Sequence, residues 1–294
     1  MSYWEIFQNS FFGYASYLKD QIIHPTWHSY FWWLVGLSLF AWSLELLFPW
    51  RKNQRAIRKD FWLDGFYMFF NFYIFSLIGY TAVSDVVVVA INNALSSIGI
   101  TNTVAINVSS WPVWGQFLLM LVVVDFVQWN IHRLLHRIPF LWEFHKLHHS
   151  VEEMGFAAHL RYHWMETVVY KSIQYIPLAF LGFGLLDFFV IHIFTIAIGH
   201  LNHSNLRITW GPLKYILNSP AMHIWHHAKE LPKHPYGANF GLTLSVWDYL
   251  FGTVYMPRDG RDIQLGFDDM KDYPKSFFGQ IFYPLTKTKK TGTK

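Results

Sequence analysis

The chain contains no cysteine. That excludes disulfides, thiolate metal sites and thiol nucleophiles, and says little about the compartment. Charge is also scarce: Asp, Glu, Lys and Arg make up 14% of 294 residues, against roughly 25% in soluble domains. The net charge of +4 is matched by Lys287, Lys289, Lys290 and Lys294 at the C-terminal end. The rest is neutral and offers no basic face to nucleic acid. Residues 1–29 carry one Lys, polar interruptions and no small-residue cleavage site, so no secretory signal is expected. There is no internal repeat and no low-complexity segment. What the chain has instead is apolar surface, with 53% hydrophobic and 20% aromatic residues. Such a composition excludes disorder and exceeds the needs of a soluble core, so lipid-facing surface is expected.

The apolar runs place that surface. Residues 30–50 hold one charge, Glu45, and are long enough to cross ~30 Å of hydrocarbon as a helix. Arg51, Lys52, Arg55, Arg58 and Lys59 follow before the first acid, Asp60, and mark the cytoplasmic side. A second span is expected over 66–91, a polar external loop over 92–110, and a third span over 113–131. The stretch 168–199, broken by Pro177, Gly182 and Gly184, is short for two crossings and predicts a tilted or shallow helical hairpin. These expectations describe an all-α integral membrane protein with four or five transmembrane or hairpin helices. Residues 132–167 and 200–294 then share the cytoplasmic face. The expected division is a membrane anchor (1–110), a catalytic region (111–256) and a cytoplasmic tail (257–294).

Histidine is concentrated. Thirteen of the 16 His lie between residues 132 and 227. His132 and His136 are spaced i, i+4, as are His159 and His163. His145, His148 and His149 are i, i+3, i+4, and His223, His226 and His227 repeat that pattern. These intervals set imidazoles about one helical turn apart on one face, where two rings can converge on one ion. A lone HxxxH is weak. Two HxxHH copies with HxxxH on one membrane face call for a cation, because neutral imidazoles gathered in a low-dielectric setting stabilise nothing without one. About ten His are too many for one ion, and two ions fit the count. Ligand softness does not choose among Fe, Zn and Cu.

Residues 125–150, DFVQWNIHRLLHRIPFLWEFHKLHHS, closely resemble the signature of the fatty acid hydroxylase and sterol desaturase superfamily, membrane-bound non-haem di-iron oxygenases. The similarity continues through RYHWMET (161–167), NHSNLR (202–207), NSPAMHIWHH (218–227) and YGANFGLTLSVWDYLFGTVY (236–255). Residues 1–110 match nothing beyond a membrane anchor. Carried over residue by residue, the resemblance implies metal ligands at His132, His136, His145, His148, His149, His163, His203, His223, His226 and His227. It implies two iron ions, with zinc able to replace them in purified material, and O2 as co-substrate. His159 and His200 depart from the expected pattern and are open between ligand, supporting partner and bystander. His192 sits in an apolar run, and His24, His28 and His234 lie outside the motifs. Groups expected behind the ligands are Asp125, two helical turns before His132 and placed to accept its free N–H, Glu166 and Asp248.

The expected function is O2-dependent oxidation of a C–H bond in a membrane lipid, most simply hydroxylation, with desaturation as the alternative on the same centre. No flavin, nicotinamide or haem signature is present, so electrons must come from a separate reductase. A His-rich metal transporter would place ionisable residues within the spans, whereas these lie at helix ends and in polar segments. A metal-dependent hydrolase would not require O2. Substrate, oligomeric state and electron donor are not set by the sequence. A bacterial inner membrane is favoured, or the endoplasmic reticulum in a eukaryote.

Overall fold

The computed structural model describes residues 1–102, 104–183 and 185–287. Gly184 and the basic residues Lys289, Lys290 and Lys294 lie outside them, and the side chain of Lys287 is not described. Among the described residues the fold is helical, with only two isolated β-bridges, Leu217 to Leu244 and Ala228 to Leu265. Helix α1 (Tyr3–Ile23) opens the chain and was not anticipated. It starts at a capping box in which Ser2 Oγ accepts from Glu5 N–H and Glu5 Oε2 accepts from Ser2 N–H. Helix α2 (Tyr30–Leu47) is the first apolar span.

Helix α3 (Phe61–Tyr67) runs through a π-helical stretch (Met68–Tyr80) into α4 (Thr81–Ser97), one continuous helix longer at both ends than the expected second span. Helix α5 (Val113–Arg137) continues past the expected end at residue 131, so its last turns carry His132 and His136. Among the described residues, three helices are therefore long and apolar enough to cross a membrane: α2, the rod Phe61–Ser97, and α5. Leu39, Phe40, Val87, Val88, Ile91 and Leu118 are exposed on them, as lipid-facing residues must be. The 168–199 stretch forms α7 (Trp164–Phe180), with Pro177 inside it, and α8 (Leu185–Asn202). Helix α7 packs on α5, while α8 packs on α2 and α5.

The remaining elements close one end of this bundle. Helix α6 (Pro139–His149) begins with Pro at its first position, where the missing N–H costs nothing. Helix α9 (Pro220–His226) also starts with Pro, and Ser219 Oγ caps Met222 N–H. Short α10 (Val246–Leu250) and α11 (Phe277–Lys287) follow. The basic segment after α2 is docked on this end. Lys59 pairs with Glu152 at 2.6 Å, Arg51 donates to Met154 O at 3.1 Å, and buried Arg58 bonds Asp64. Asp64 also holds Arg161 at 3.0 Å. Glu45, the lone charge in α2, accepts from the N–H groups of Phe156 and Asn205. The charges expected only to mark a membrane face thus also tie α2 and α3 to the His-bearing segments.

Candidate metal centre

Nine imidazoles meet at this closed end in two groups. His132 and His136 from α5, His145 and His149 from α6 and His226 from α9 form the first. His148 from α6, His203 just after α8, His223 from α9 and His227 just after α9 form the second. Within each group every residue offers one ring nitrogen within 4.8 Å of the others. Eight of the nine are buried and His136 is partly so.

The far nitrogens are anchored. His132 Nδ1–H donates to Phe240 O at 2.7 Å, His148 Nδ1–H to Arg161 O at 3.1 Å, His203 Nδ1–H to Gly199 O at 2.8 Å and His226 Nδ1–H to Ala238 O at 2.8 Å. His145 Nδ1–H donates to Glu166 Oε2 at 2.8 Å. Carbonyl oxygens only accept, so the neutral rings of His132, His148, His203 and His226 carry their proton on Nδ1 and turn a bare Nε2 inward. His145 does the same when Glu166, raised to about 8 by burial, is ionised.

Those bare nitrogens face one another. His132 and His145 Nε2 are 3.1 Å apart, and His203 and His148 Nε2 are 3.2 Å apart. His223 Nε2 lies 3.0 Å from His203 Nε2 and 3.2 Å from His227 Nε2. In the His132–His145 and His148–His203 pairs, whose Nδ1 protons are held outward, lone pair against lone pair at that range is repulsive unless a cation lies between them. His223 Nδ1 accepts from the Asn218 amide N–H at 3.4 Å, and His227 Nδ1 has no partner among the described residues. Two nitrogens bound to one ion at about 2.0–2.1 Å stand about 3.0–3.4 Å apart, as these do. His136 Nε2 is buried without a partner in the first group, another donor that an ion would satisfy. The donor set therefore fits two metal ions.

Electrostatics agree. Burial holds His148 down at about 3, from an ordinary 6.5. Burial, with neighbouring imidazoles, holds His145, His149, His223, His226 and His227 well below 6.5. Rings that reject protons at neutral pH keep their lone pairs for a metal.

The residues behind the ligands depart in part from expectation. Glu166 holds His145, and its Oε1 also accepts from His163 N–H at 3.1 Å. Asp125 does not reach His132. Its carboxylate accepts from Thr243 N–H, Leu244 N–H and Trp247 Nε1–H, while His132 takes a backbone carbonyl. Asp248 accepts from Trp129 Nε1–H, Phe240 N–H, Gly241 N–H and Thr253 Oγ1–H. It fixes the loop whose Phe240 carbonyl orients His132. Gly237 lies in that loop at φ +93°, and an added Cβ would stand 2.9 Å from His136 Nδ1.

His163 stands apart from both groups. Its Nε2–H donates to Ile281 O at 2.9 Å and its Nδ1 accepts from Met165 N–H at 3.2 Å. His159 and His200 pair through their Nδ1 atoms at 3.0 Å, and His200 Nε2 meets Ser38 Oγ at 3.2 Å. This pair flanks the second group, the His159 ring centroid 5.2 Å from that of His203. His192 packs between Tyr30 and Phe72. His24 pairs with Asp20 and His28 lies on Trp27, whereas His234 meets Tyr255 and lines a second cavity together with His136, His149 and His226 of the first group.

A cavity of about 160 Å³ reaches both groups, touching His132 and His145 of the first and His148 and His223 of the second. Its apolar wall includes Phe72 from the π-helical stretch, Val124 from α5 and Ile196 from α8. It opens the centre toward the apolar helices.

Residues 117–253 match the fatty acid hydroxylase family. This segment is a fatty acid hydroxylase domain. The chain is 35% identical over 177 residues to ornithine lipid hydroxylase OlsE of Rhizobium tropici, covering 60% of this chain and 52% of that protein. It is 33% identical over 148 residues to alkylglycerol monooxygenase of Xenopus tropicalis, covering 49% of this chain and 31% of that protein. A very-long-chain aldehyde decarbonylase of Oryza sativa, GL1-7, is 28% identical over 165 residues, 49% of this chain and 24% of that protein. The chain thus spans between about a quarter and about half of the length of these relatives. No solved structure matches it.

Proposed function

We propose that the protein is an O2-dependent oxygenase that hydroxylates a C–H bond of a membrane lipid at a His-ligated centre of two iron ions. The observation that carries this reading is the paired arrangement of bare Nε2 atoms, with their Nδ1 protons pinned outward and a cavity lying against both groups. The names of the hydroxylase and monooxygenase relatives support hydroxylation over desaturation. His132, His136, His145, His149 and His226 would hold one ion, and His148, His203, His223 and His227 the other. Bound iron supplies the activation of O2 needed to break an unactivated C–H bond.

The chain's own groups do the rest. Glu166 and the carbonyls of Phe240, Arg161, Gly199 and Ala238 orient the rings. Phe72, Val124 and Ile196 keep water from the lipid-side wall. One O2, two electrons and two protons give one hydroxyl on the lipid and one water. The electrons come from an external reductase, since the chain shows no flavin or nicotinamide motif. We place the centre on the cytoplasmic face with the Arg51–Lys59 segment, inside a catalytic unit of residues 111–256. Purified, iron-loaded protein with a reductase should convert membrane lipid to a product heavier by one oxygen, taken from isotopically labelled O2. Full activity with a single ion per chain, or an unlabelled product, would overturn the reading. Single cysteines introduced near Ser150 and near Lys229, on the Cys-free background, should react with a membrane-impermeant thiol reagent from the same side.

A further inference from the structure

The cavity beside the metal centre is not lined as an acyl-chain tunnel would be. On its α7 wall, Thr167, Lys171 and Gln174 recur at i, i+4 and i+7, one face of an otherwise apolar helix, with Tyr170 beside them. From α8, His192 and Thr195 face the same space. Polar and charged side chains among apolar helices are costly and mark function. Lys171 is the cation among them. Its Nζ lies 5.4 Å from the centre of the Tyr80 ring, a contact that favours the charged ammonium. Among the described residues it forms no ion pair. Glu166, the acid on the cavity wall, is engaged by His145 Nδ1–H and His163 N–H. A half-buried cation among apolar helices, with no counter-ion among the described residues, is placed to take one from the ligand.

The size points the same way. At about 160 Å³ the cavity is smaller than the roughly 300–1,000 Å³ of sites that enclose a whole small molecule. It takes one end of a lipid. We infer that this end is a polar headgroup carrying an anion, a carboxylate or a phosphate, which pairs with Lys171 and brings the headgroup carbons, rather than the distal acyl chain, to the metal centre. Along α7, Lys171 is five residues beyond Glu166, about 7.5 Å, so anion and reacting carbon sit within one headgroup of each other. This rests on the oxygenase reading for the chemistry, and on the cavity alone for the binding.

The test therefore begins with binding. Short-chain N-acyl-ornithine and short-chain phosphatidylglycerol supply the two anions, and short-chain diacylglycerol is the neutral control, each titrated into iron-loaded protein in detergent by calorimetry. Wild type should bind at least one anionic probe ~10–100-fold more tightly than the neutral one, the range of a charge-assisted contact. Lys171→Met should erase that difference with iron content unchanged, and Lys171→Arg should retain most of it. The preferred anion says which headgroup is taken. Wild type showing no preference overturns the inference whether or not Lys171→Met folds. So does equal preference in a folded Lys171→Met. With a reductase, tandem mass spectrometry should place the new oxygen on the headgroup side. Oxygen on the distal acyl chain sinks this inference and keeps the oxygenase, whereas anion preference with no oxygen-dependent product keeps the binding site and sinks the oxygenase.

Discussion

Glu166 is the side chain on which the proposed centre can be tested without removing a ligand. Its Oε2 accepts from His145 Nδ1–H at 2.8 Å and its Oε1 from His163 N–H at 3.1 Å, with 3% of the residue exposed. Replacing it by Leu keeps the bulk and strands two buried donors. Each costs about 1–3 kcal/mol, so the protein should lose about 2–6 kcal/mol. His145 also loses the acceptor that keeps its proton on Nδ1. Once that proton can move to Nε2, the inward lone pair is no longer guaranteed, and metal affinity should fall ~10–100-fold. Glu166→Gln keeps one acceptor oxygen but turns an NH2 toward one of the two donors, so it should cost about 1–3 kcal/mol. Its metal affinity should fall less than that of the Leu variant. Denaturant unfolding in detergent reads the first effect and chelator competition the second. Wild-type stability together with wild-type metal affinity in Glu166→Leu would refute the reasoning. Lowered stability with unchanged affinity would show that Glu166 braces the fold but does not set the tautomer.

Three further outcomes are expected. His223→Ala or His226→Ala should lower bound metal, whereas His163→Ala should keep it and cost about 1–3 kcal/mol for the orphaned Ile281 carbonyl, measured by metal analysis beside unfolding. Metal-free protein should lose stability as pH falls below 6.5. His148 is held near 3 in the fold against 6.5 when free, so between those values the unfolded chain binds the extra proton, and this one ring costs about 1.4 kcal/mol per pH unit; a melting temperature unchanged from about pH 7 to about pH 5 would contradict it. Gly199→Ala would place a Cβ 2.2 Å from the His159 ring; displacing that ring from His200 should cost about 1–3 kcal/mol, and unchanged unfolding would mean the ring relocates freely.

What could be read from the sequence was whatever helical spacing controls. The apolar runs gave the long helices because only such runs satisfy the backbone in hydrocarbon, and the His intervals gave the faces. What could not be read was set by reach and by loops. Asp125 shares a face with His132, but seven residues along a helix is about 10 Å, beyond any hydrogen bond, so its carboxylate serves the 243–247 loop instead. His163 sits between helices, where no period orients a ring, and it turns to Ile281 and packs on Phe144. Helix α1 was missed because its polar interruptions hide the face it lays on α4.

The doubled HxxHH pattern has a geometric meaning that a single HxxxH lacks. On α6, His145 and His149 are one turn apart and both serve the first group, while His148, about 100° round the helix from His149, serves the second. On α9 and its C-terminal cap the roles are exchanged: His223 and the cap residue His227 form the one-turn pair and serve the second group, and His226 crosses to the first. Each short helix thus gives a pair to one group and a single ring to the other. The two groups cannot move independently, because displacing either helix disturbs both. Helix α5 adds its own pair to the first group only, and His203 its single ring to the second. Removing His148 from α6 while keeping His145 and His149 therefore asks whether the groups are energetically separate. If they are, a His148→Ala protein should bind one ion with wild-type affinity and one weakly. If the helices couple them, both affinities should fall together, which two-step chelator titration of the variant would resolve.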